Sequence, residues 1–105
     1  MAVNHETVIQ AVVHYVEDVR NAMPIDKVYL FGSYANGTAG EHSDIDLCFF
    51  SSSFEDRDRL AVMRELFRLS WKYDAYDIQP CAFATSDLET GNPFVKEVLR
   101  TGKEL

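Results

Sequence analysis

Apolar positions three and four residues apart predict a long first helix. Over residues 5–22 this spacing gives a helix with one buried face, made of Val8, Val12, Tyr15, Val16 and Val19, with Met23 following. Many of these residues are valines, which singly favour strands, so the prediction depends on the period and not on residue type. Asn4 is a suitable N-cap for this helix, and Pro24 ends it.

A second helical pattern covers about residues 55–72. Its apolar stripe consists of Leu60, Val62, Met63, Leu66, Phe67, Leu69 and Tyr73. We interpret the charged residues between them as a solvated face. At the start of this helix, either Ser52 with Glu55 or Ser53 with Asp56 would form a capping box.

A short third helix is predicted near the C-terminus. A loop at 86–91 precedes it. Asn92 is its predicted cap and Pro93 its first residue, while Gly102 stands just past its end. Proline at the start and glycine after the end is the usual asymmetry of helix termini.

Three apolar runs predict strands at 27–32, 44–50 and about 76–84. Side chains alternate between the two faces of a strand. In the second run one face carries Ile45, Leu47 and Phe49, and the other carries Asp44, Asp46 and Cys48. Pro80 in the third run predicts an edge strand or a bulge, because proline cannot donate a ladder hydrogen bond.

The predicted order is α-β-β-α-β-α, which favours a small mixed sheet flanked by helices, an α/β (α+β) fold in a single domain over residues 1–105. The first two strands should be antiparallel neighbours. The second and third, joined through a helix, should be parallel with a right-handed crossover. The end of the first strand and the starts of the other two then share one sheet edge, so Gly32-Ser33, Asp44, Asp46 and Asp77 should converge.

The stretch between the first two strands combines glycines with paired acids. Gly32, Gly37 and Gly40 predict a loop, since glycine is costly in regular structure. Asp44 and Asp46 follow at i and i+2, on one face of a strand and roughly 6.5–7 Å apart. Such carboxylates repel each other unless a positive group lies between them, and Mg²⁺ prefers their hard oxygen atoms. The alternative for two aspartates after a glycine-rich loop is turn chemistry.

The spacing resembles the signature of the DNA polymerase β-like nucleotidyltransferase superfamily, Gly-Ser, ten residues, Asp-x-Asp. Gly32-Ser33, residues 34–43 and Asp44-Ile45-Asp46 fit it without a gap or insertion. The short chain is most similar to the minimal nucleotidyltransferases of that superfamily. This resemblance implies the polymerase β-like nucleotidyltransferase fold and a metal-dependent transfer of AMP from ATP to an acceptor hydroxyl.

The same resemblance implies the roles of individual residues. Asp44, Asp46 and a third acid would be the catalytic residues and would hold two Mg²⁺ ions, which lower the pKa of an attacking hydroxyl and neutralise charge on the transferring group. Asp77 matches the third acid by position, and Asp74 at the helix end is its competitor. Gly32 and Ser33 would bind the terminal phosphates of ATP.

Asn36 and His42 are two further polar residues of the loop. Asn36 stands where the family often has arginine or lysine, and an amide can bond a phosphate without neutralising it. His42 lies beside the acids, but no second histidine stands at ligand spacing, so we interpret it as a loop residue.

Composition narrows the function classes. The formal net charge of −7 argues against direct nucleic-acid binding, which needs clustered lysine and arginine. No run of 18 apolar residues predicts a membrane span, and the N-terminus lacks the pattern of a signal peptide. Cys48 and Cys81 both lie in apolar runs, and we interpret them as buried, reduced thiols of a cytoplasmic protein.

A chain of 105 residues offers one wall for a site that must enclose ATP and an acceptor. We therefore expect a partner protein or association into a homo-oligomer. The resemblance implies a helical HEPN-type partner, with this chain as the antitoxin that adenylylates a tyrosine of the toxin. Two alternatives stay open: an interaction module that neutralises a helical toxin by binding alone, and a nucleotidyltransferase that acts on a small molecule.

Overall fold

Helices and strands alternate over residues 5–40 and 43–105, which are the residues that the computed structural model describes. The helices are α1 (His5–Ala22), α2 (Ser33–Asn36), α3 (Arg59–Ser70) and α4 (Pro93–Thr101). The strands are β1 (Lys27–Phe31), β2 (Ile45–Ser51), β3 (Ile78–Ala84) and β4 (Lys103–Glu104). The predicted α/β (α+β) fold is confirmed, with α2 and β4 as additions. Asn4, the predicted cap of α1, lies outside the described residues.

The strands form one mixed sheet in the order β3-β2-β1-β4. β1 and β2 are antiparallel, with Phe31 opposite Asp46, and β2 and β3 are parallel, with Asp46 opposite Gln79. Both pairings confirm the prediction. β3 is an edge strand, as Pro80 indicated.

The first face of the sheet carries most of the core. α1 and α3 pack on this face, and the buried cluster includes Val12, Tyr15, Val19, Ile45, Leu47, Phe49, Val62 and Leu66. The buried Tyr15 hydroxyl donates a 2.7 Å hydrogen bond to the carbonyl of Leu66, and the Tyr15 ring meets Phe49 edge-on. A polar tip with a partner lets a large aromatic ring join α1 to α3 inside the core.

The second face is smaller and is covered by α4. Its buried cluster contains Cys48, Phe50, Phe83, Val95 and Val98. Asp46 is on the same face as Cys48, because side chains two apart on a strand share a face. The acids predicted to be functional therefore lie on the thinly covered side of the sheet. Cys81 on this face is half-buried, so its predicted full burial is wrong; β3 is an edge strand and α4 does not cover it completely.

The start of α3 differs from the prediction. Asp58 is its N-cap and accepts a 3.0 Å hydrogen bond from the amide of Leu60, so the two predicted capping boxes are wrong. The serines before it form a 3₁₀ turn, Ser52–Phe54, in which the side chain of Ser51 accepts from the amide of Ser53. Asp26 and Thr85 hold that turn from distant parts of the chain, because Asp26 Oδ2 accepts from Ser52 N at 2.8 Å and from Thr85 Oγ1 at 2.6 Å.

The C-terminal helix matches its prediction. Asn92 Oδ1 accepts from the amides of Phe94 at 2.9 Å and Val95 at 3.4 Å, which confirms Asn92 as the cap. After Gly102 the chain adds β4, whose Lys103 lies opposite Leu30 of β1. A two-residue strand is too short to produce a sequence period, so no pattern predicted it.

Candidate active site

The glycine-rich segment after β1 begins with a sharp turn. Gly32 has φ 75°, a conformation that favours glycine, and its carbonyl accepts from the amides of Ala35 and Asn36, both at 3.1 Å. These bonds form the single helical turn α2 inside the predicted loop. Tyr34 and Ala35 are buried in the core, and this anchoring explains why a short helix forms where glycines predicted only a loop.

Asp46 lies directly against the turn at Gly32. A Cβ atom added to Gly32 would overlap Asp46 Oδ2 and lie 3.3 Å from Asp46 Cγ. Position 32 therefore favours glycine for two reasons: the positive φ and the close approach of the Asp46 carboxylate.

Asp44 and Asp77 come together at the same sheet edge, each just before its strand. The amide of Ile45 donates a 2.7 Å hydrogen bond to the carbonyl of Asp77, which joins the starts of β2 and β3. The two carboxyl groups also hydrogen-bond each other. This bond, together with the nearby charge of Asp77, raises the pKa of Asp44. The same interaction lowers the pKa of Asp77.

Gln79 and Asp46 also contribute to the electrostatics of this edge of the sheet. Gln79 Nε2 donates a 2.6 Å hydrogen bond to Asp77 Oδ1, which further lowers the pKa of Asp77. Burial raises the pKa of Asp46, and the charge of Asp77 adds to that effect. Sequence reasoning did not name Gln79, although its position two residues after Asp77 places it on the same face of the strand.

The three acids offer the hard oxygen ligands and the mutual repulsion that a divalent cation relieves. As the side chains lie, no three His, Cys, Asp or Glu residues within 5–40 and 43–105 surround a common point. Asp44 and Asp77 face each other, while Asp46 faces Gly32. The residues fit Mg²⁺ by donor type and by their shared edge, and coordination by all three acids requires side-chain rotation.

Two of the remaining residues considered in the sequence analysis, Ser33 and Asp74, lie within the described part of the chain. Ser33 is half-buried, and its hydroxyl makes no hydrogen bond within the described part of the chain. Asp74 is exposed in the turn after α3 and takes no part in the hydrogen bonds of the acid edge. His42 lies outside the described residues.

Asn36 is engaged in a local turn that sequence reasoning missed. Its Oδ1 atom accepts from Thr38 N at 3.1 Å and from Thr38 Oγ1 at 2.6 Å. An asparagine followed two residues later by threonine is a common signal of such an Asx turn. The side-chain oxygen of Asn36 is therefore bonded to Thr38, and only its NH₂ group is left to bond a ligand.

The candidate site thus combines a glycine turn with carboxylates at one edge of the sheet. Residues 13–100 match the model of the nucleotidyltransferase domain family, and this chain belongs to that family. The resemblance drawn from Gly32-Ser33 and Asp44-Ile45-Asp46 is confirmed at the level of the family.

The chain is similar to one curated relative and to several solved structures, including the following three. A provisionally named protein adenylyltransferase of Methanocaldococcus jannaschii is 35% identical over 77 residues, which are 69% of this chain and 52% of the relative. The chain thus spans about half the length of this relative. A provisionally assigned nucleotidyltransferase from Sulfolobus solfataricus has a TM-score of 0.72 at 20% identity, over 95% of this chain and 80% of that one.

The other two structures are toxin–antitoxin complexes. One, with AMP-PNP, has a TM-score of 0.60 at 26% identity and covers 97% of this chain and 72% of the other. The second holds a tri-AMPylated HEPN toxin of Shewanella oneidensis with its MNT antitoxin, and has a TM-score of 0.55 at 22% identity over 90% and 70% of the two chains. These similarities confirm the nucleotidyltransferase fold and the resemblance to minimal nucleotidyltransferases.

In the part of the chain that the structure describes, no helix combines the length and apolar composition needed to cross a bilayer.

Proposed function

We propose that this protein transfers AMP from ATP to a hydroxyl group of a partner protein in a Mg²⁺-dependent reaction. The acceptor is a tyrosine of a helical HEPN-type toxin, and this chain is its antitoxin. Family membership supports nucleotidyl transfer, and the relatives named for adenylyl transfer and for toxin–antitoxin complexes support the choice of AMP and of the partner.

The observation that carries this proposal is the contact between Asp46 and Gly32. The backbone amide and the hydroxyl of Ser33 are donors that suit phosphate oxygens, and glycine at 32 lets a phosphate approach the backbone closely. Because the Asp46 carboxylate touches Gly32, a phosphate held there lies beside it. Two anionic groups at that distance are stable only with a cation between them.

The three acids at the sheet edge then have a common role in this reaction. Asp44, Asp46 and Asp77 would hold Mg²⁺, which when bound supplies charge neutralisation and lowers the pKa of a coordinated hydroxyl. Gln79 orients Asp77 through its 2.6 Å hydrogen bond. A cation bound at this edge would also relieve the repulsion between Asp44 and Asp77 that helps to raise the pKa of Asp44.

Residues 32–47 contain no lysine or arginine, so this segment does not supply a positive side chain for the leaving pyrophosphate. Asn36 contributes at most an NH₂ donor, since its carbonyl bonds Thr38. We infer that the missing positive charge comes from Mg²⁺ and from the partner protein.

The partner also completes the walls of the site. Asp44 and Asp77 are exposed, and the sheet edge is open. Positioning and water exclusion provide much of the rate enhancement in phosphoryl transfer, so an open edge needs a second surface. A HEPN-type protein that carries the acceptor tyrosine provides that surface, and a homo-oligomer is the competing arrangement.

The test uses ATP labelled in the α-phosphate and, in parallel, ATP labelled in the γ-phosphate. The chain is incubated with each nucleotide, Mg²⁺ and a candidate HEPN-type partner protein. The proposal expects label from the α-position alone on the partner, and none with a chelator or with Asp46→Asn. Label from the γ-position would show phosphate transfer and contradict the proposal.

A second function is favoured by Asn36, which replaces the usual basic residue. The chain would then be an interaction module that neutralises the toxin by covering it. Tight binding that leaves the partner unlabelled, and that Asp46→Asn does not change, would select this module over the enzyme. Label on a small-molecule acceptor, with none on the partner, would select the third alternative.

A further inference from the structure

Cys48 and Cys81 stand opposite each other on the parallel strands β2 and β3. They lie on the sheet face that carries the acids, at the register pair that follows Asp46 and Gln79 on that face. Both are free thiols. The sequence placed them in separate apolar runs and gave no reason to pair them, so the pairing is a result of the fold.

The geometry of this pair suits a disulfide bond. Neighbouring strands lie about 4.7–4.9 Å apart, within the range of about 4.4–6.8 Å that Cα atoms span across a disulfide. Both side chains project from the same face of the sheet, so a bond between them requires no change of register.

The two thiols differ in access to solvent. Cys48 is completely buried, with 0% of its surface exposed, while Cys81 on the edge strand is half-buried. Arg59 lies above this part of the face, with its guanidinium carbon 4.5 Å from the centroid of the Phe83 ring. A small oxidant that enters beside the edge strand meets Cys81 first, with Cys48 directly behind it.

We propose that Cys48 and Cys81 form a dithiol site that a hydroperoxide closes to a disulfide across β2 and β3. The Cys81 sulfur attacks one peroxide oxygen, the O–O bond breaks, and Cys81 becomes a sulfenic acid as water leaves. The Cys48 sulfur then attacks the Cys81 sulfur, an S–S bond forms, and the S–O bond breaks to release a second water. Two thiols lose two electrons and two protons in total, and hydrogen peroxide is reduced to two waters.

Reduction by an external thiol reverses the bond. The bond would cross-link β2 and β3 two register pairs from Asp46 and Gln79, on the same face of the sheet. If the proposed AMP transfer holds, we expect it to be about tenfold slower in the oxidised protein, because small displacements of catalytic groups have large effects on rate.

The test is intact-mass measurement of the full chain after hydrogen peroxide treatment, followed by alkylation under denaturing conditions. The expected product is lighter by about 2 Da, accepts no alkyl group and returns to two alkylated thiols after reduction. Proteolysis should link the peptides that contain Cys48 and Cys81.

Two variants serve as controls. Cys81→Ser should leave a buried Cys48 that peroxide does not change. Cys48→Ala should leave Cys81 without a resolving thiol, so it gains oxygen atoms and forms no internal bond. If Cys48→Ala does not fold, the contrast between parent and Cys81→Ser still decides.

Oxygen addition to Cys81 of the parent, with Cys48 still free to alkylate, would overturn the proposal. Disulfides found only between chains, or no mass change at all, would overturn it as well. These mass readouts do not depend on any transferase activity. A protein that forms the internal bond but never transfers AMP would therefore contradict the proposed function while supporting the dithiol site.

Discussion

Asp46 Oδ2 lies against Gly32, so close that the smallest side chain at position 32 would overlap it. Gly32 directly follows β1, and Asp46 near the start of β2 is paired in register with Phe31, the last residue of β1. The antiparallel pairing of two strands thus brings the glycine turn and a carboxylate together.

Replacing Gly32 by alanine should abolish nucleotide binding and destabilise the fold. The substitution introduces both backbone strain at a positive φ and an overlap with Asp46. Gly37→Ala is the matched control, because Gly37 has φ 83° and open space around its Cβ position. We expect Gly37→Ala to cost about 1–2 kcal/mol in the free energy of unfolding. Gly32→Ala should cost more, as measured by denaturant titration.

Equal destabilisation by the two glycine variants would contradict the close approach of Asp46. Equal ATP binding by parent and Gly32→Ala, measured by calorimetry with Mg²⁺, would contradict the role of the turn.

Asp44→Asn and Asp46→Asn should each abolish AMP transfer without unfolding the chain. Both acids have a raised pKa: a bond to Asp77 is the first cause for Asp44, and burial is the first cause for Asp46. Removing one charge from a crowded acidic edge should leave the metal-free protein as stable as the parent, or more so. Thermal unfolding followed by circular dichroism checks the stability, and labelled-AMP transfer checks the activity. Transfer at the parental rate by both variants would rule out their role as metal ligands.

Asp77→Asn should reduce transfer as strongly as Asp46→Asn, while Asp74→Asn should have little effect. Asp77 hydrogen-bonds Asp44 and Gln79 at the sheet edge, and Asp74 takes no part in those bonds. The two acids are three residues apart and both exposed, so each is a fair control for the other. Initial rates at saturating ATP provide the comparison. A reversed ranking would mean that the third acid had been assigned to the wrong residue.

Asp26 should make stability depend on pH in the acid range. Hydrogen bonds from the Thr85 hydroxyl and the Ser52 amide hold the pKa of Asp26 below its usual value. A carboxylate with a lowered folded pKa stabilises the protein above the unfolded pKa of about 3.9, and this contribution is lost as pH falls through the folded pKa. The gap in unfolding free energy between the parent and Asp26→Asn should therefore be constant near neutral pH and shrink towards pH ~3.

Asp26→Ala is the control for that experiment, since alanine lacks the acceptor atoms that asparagine keeps. Its gap from the parent should shrink by the same amount on acidification but stay larger than that of Asp26→Asn at every pH. Urea titrations across the pH series measure both gaps. A parent–Asn gap that widens on acidification would contradict the lowered pKa of Asp26.

The sequence predicted the features that depend on local period and on connection rules. The alternation of Ile45, Leu47 and Phe49 against Asp46 and Cys48 identified the two faces of β2 correctly. The antiparallel and parallel pairings followed from a loop in one case and a helix in the other. Pro80 indicated the edge strand because proline has no backbone N–H group to donate to a neighbouring strand.

The features that sequence reasoning missed depend on distant contacts. The start of α3 was misplaced because Asp26 and Thr85 stabilise the serine turn, and both are far from it along the chain. α2 forms because Tyr34 and Ala35 are buried, while the local glycines favoured a loop. Gln79 is the exception, because its hydrogen bond to Asp77 is local and joins residues two apart along the chain.

The most direct test of the account is the mass of the partner after incubation with this chain and MgATP. We predict that a tyrosine-containing peptide of the HEPN-type partner gains the mass of one or more AMP groups. The gain should disappear with Asp46→Asn and with Gly32→Ala, and should persist with Asp74→Asn. A partner that is bound tightly yet unmodified, or modified equally by the Asp46→Asn variant, would contradict the claim that Gly32 and Asp46 form the site of AMP transfer.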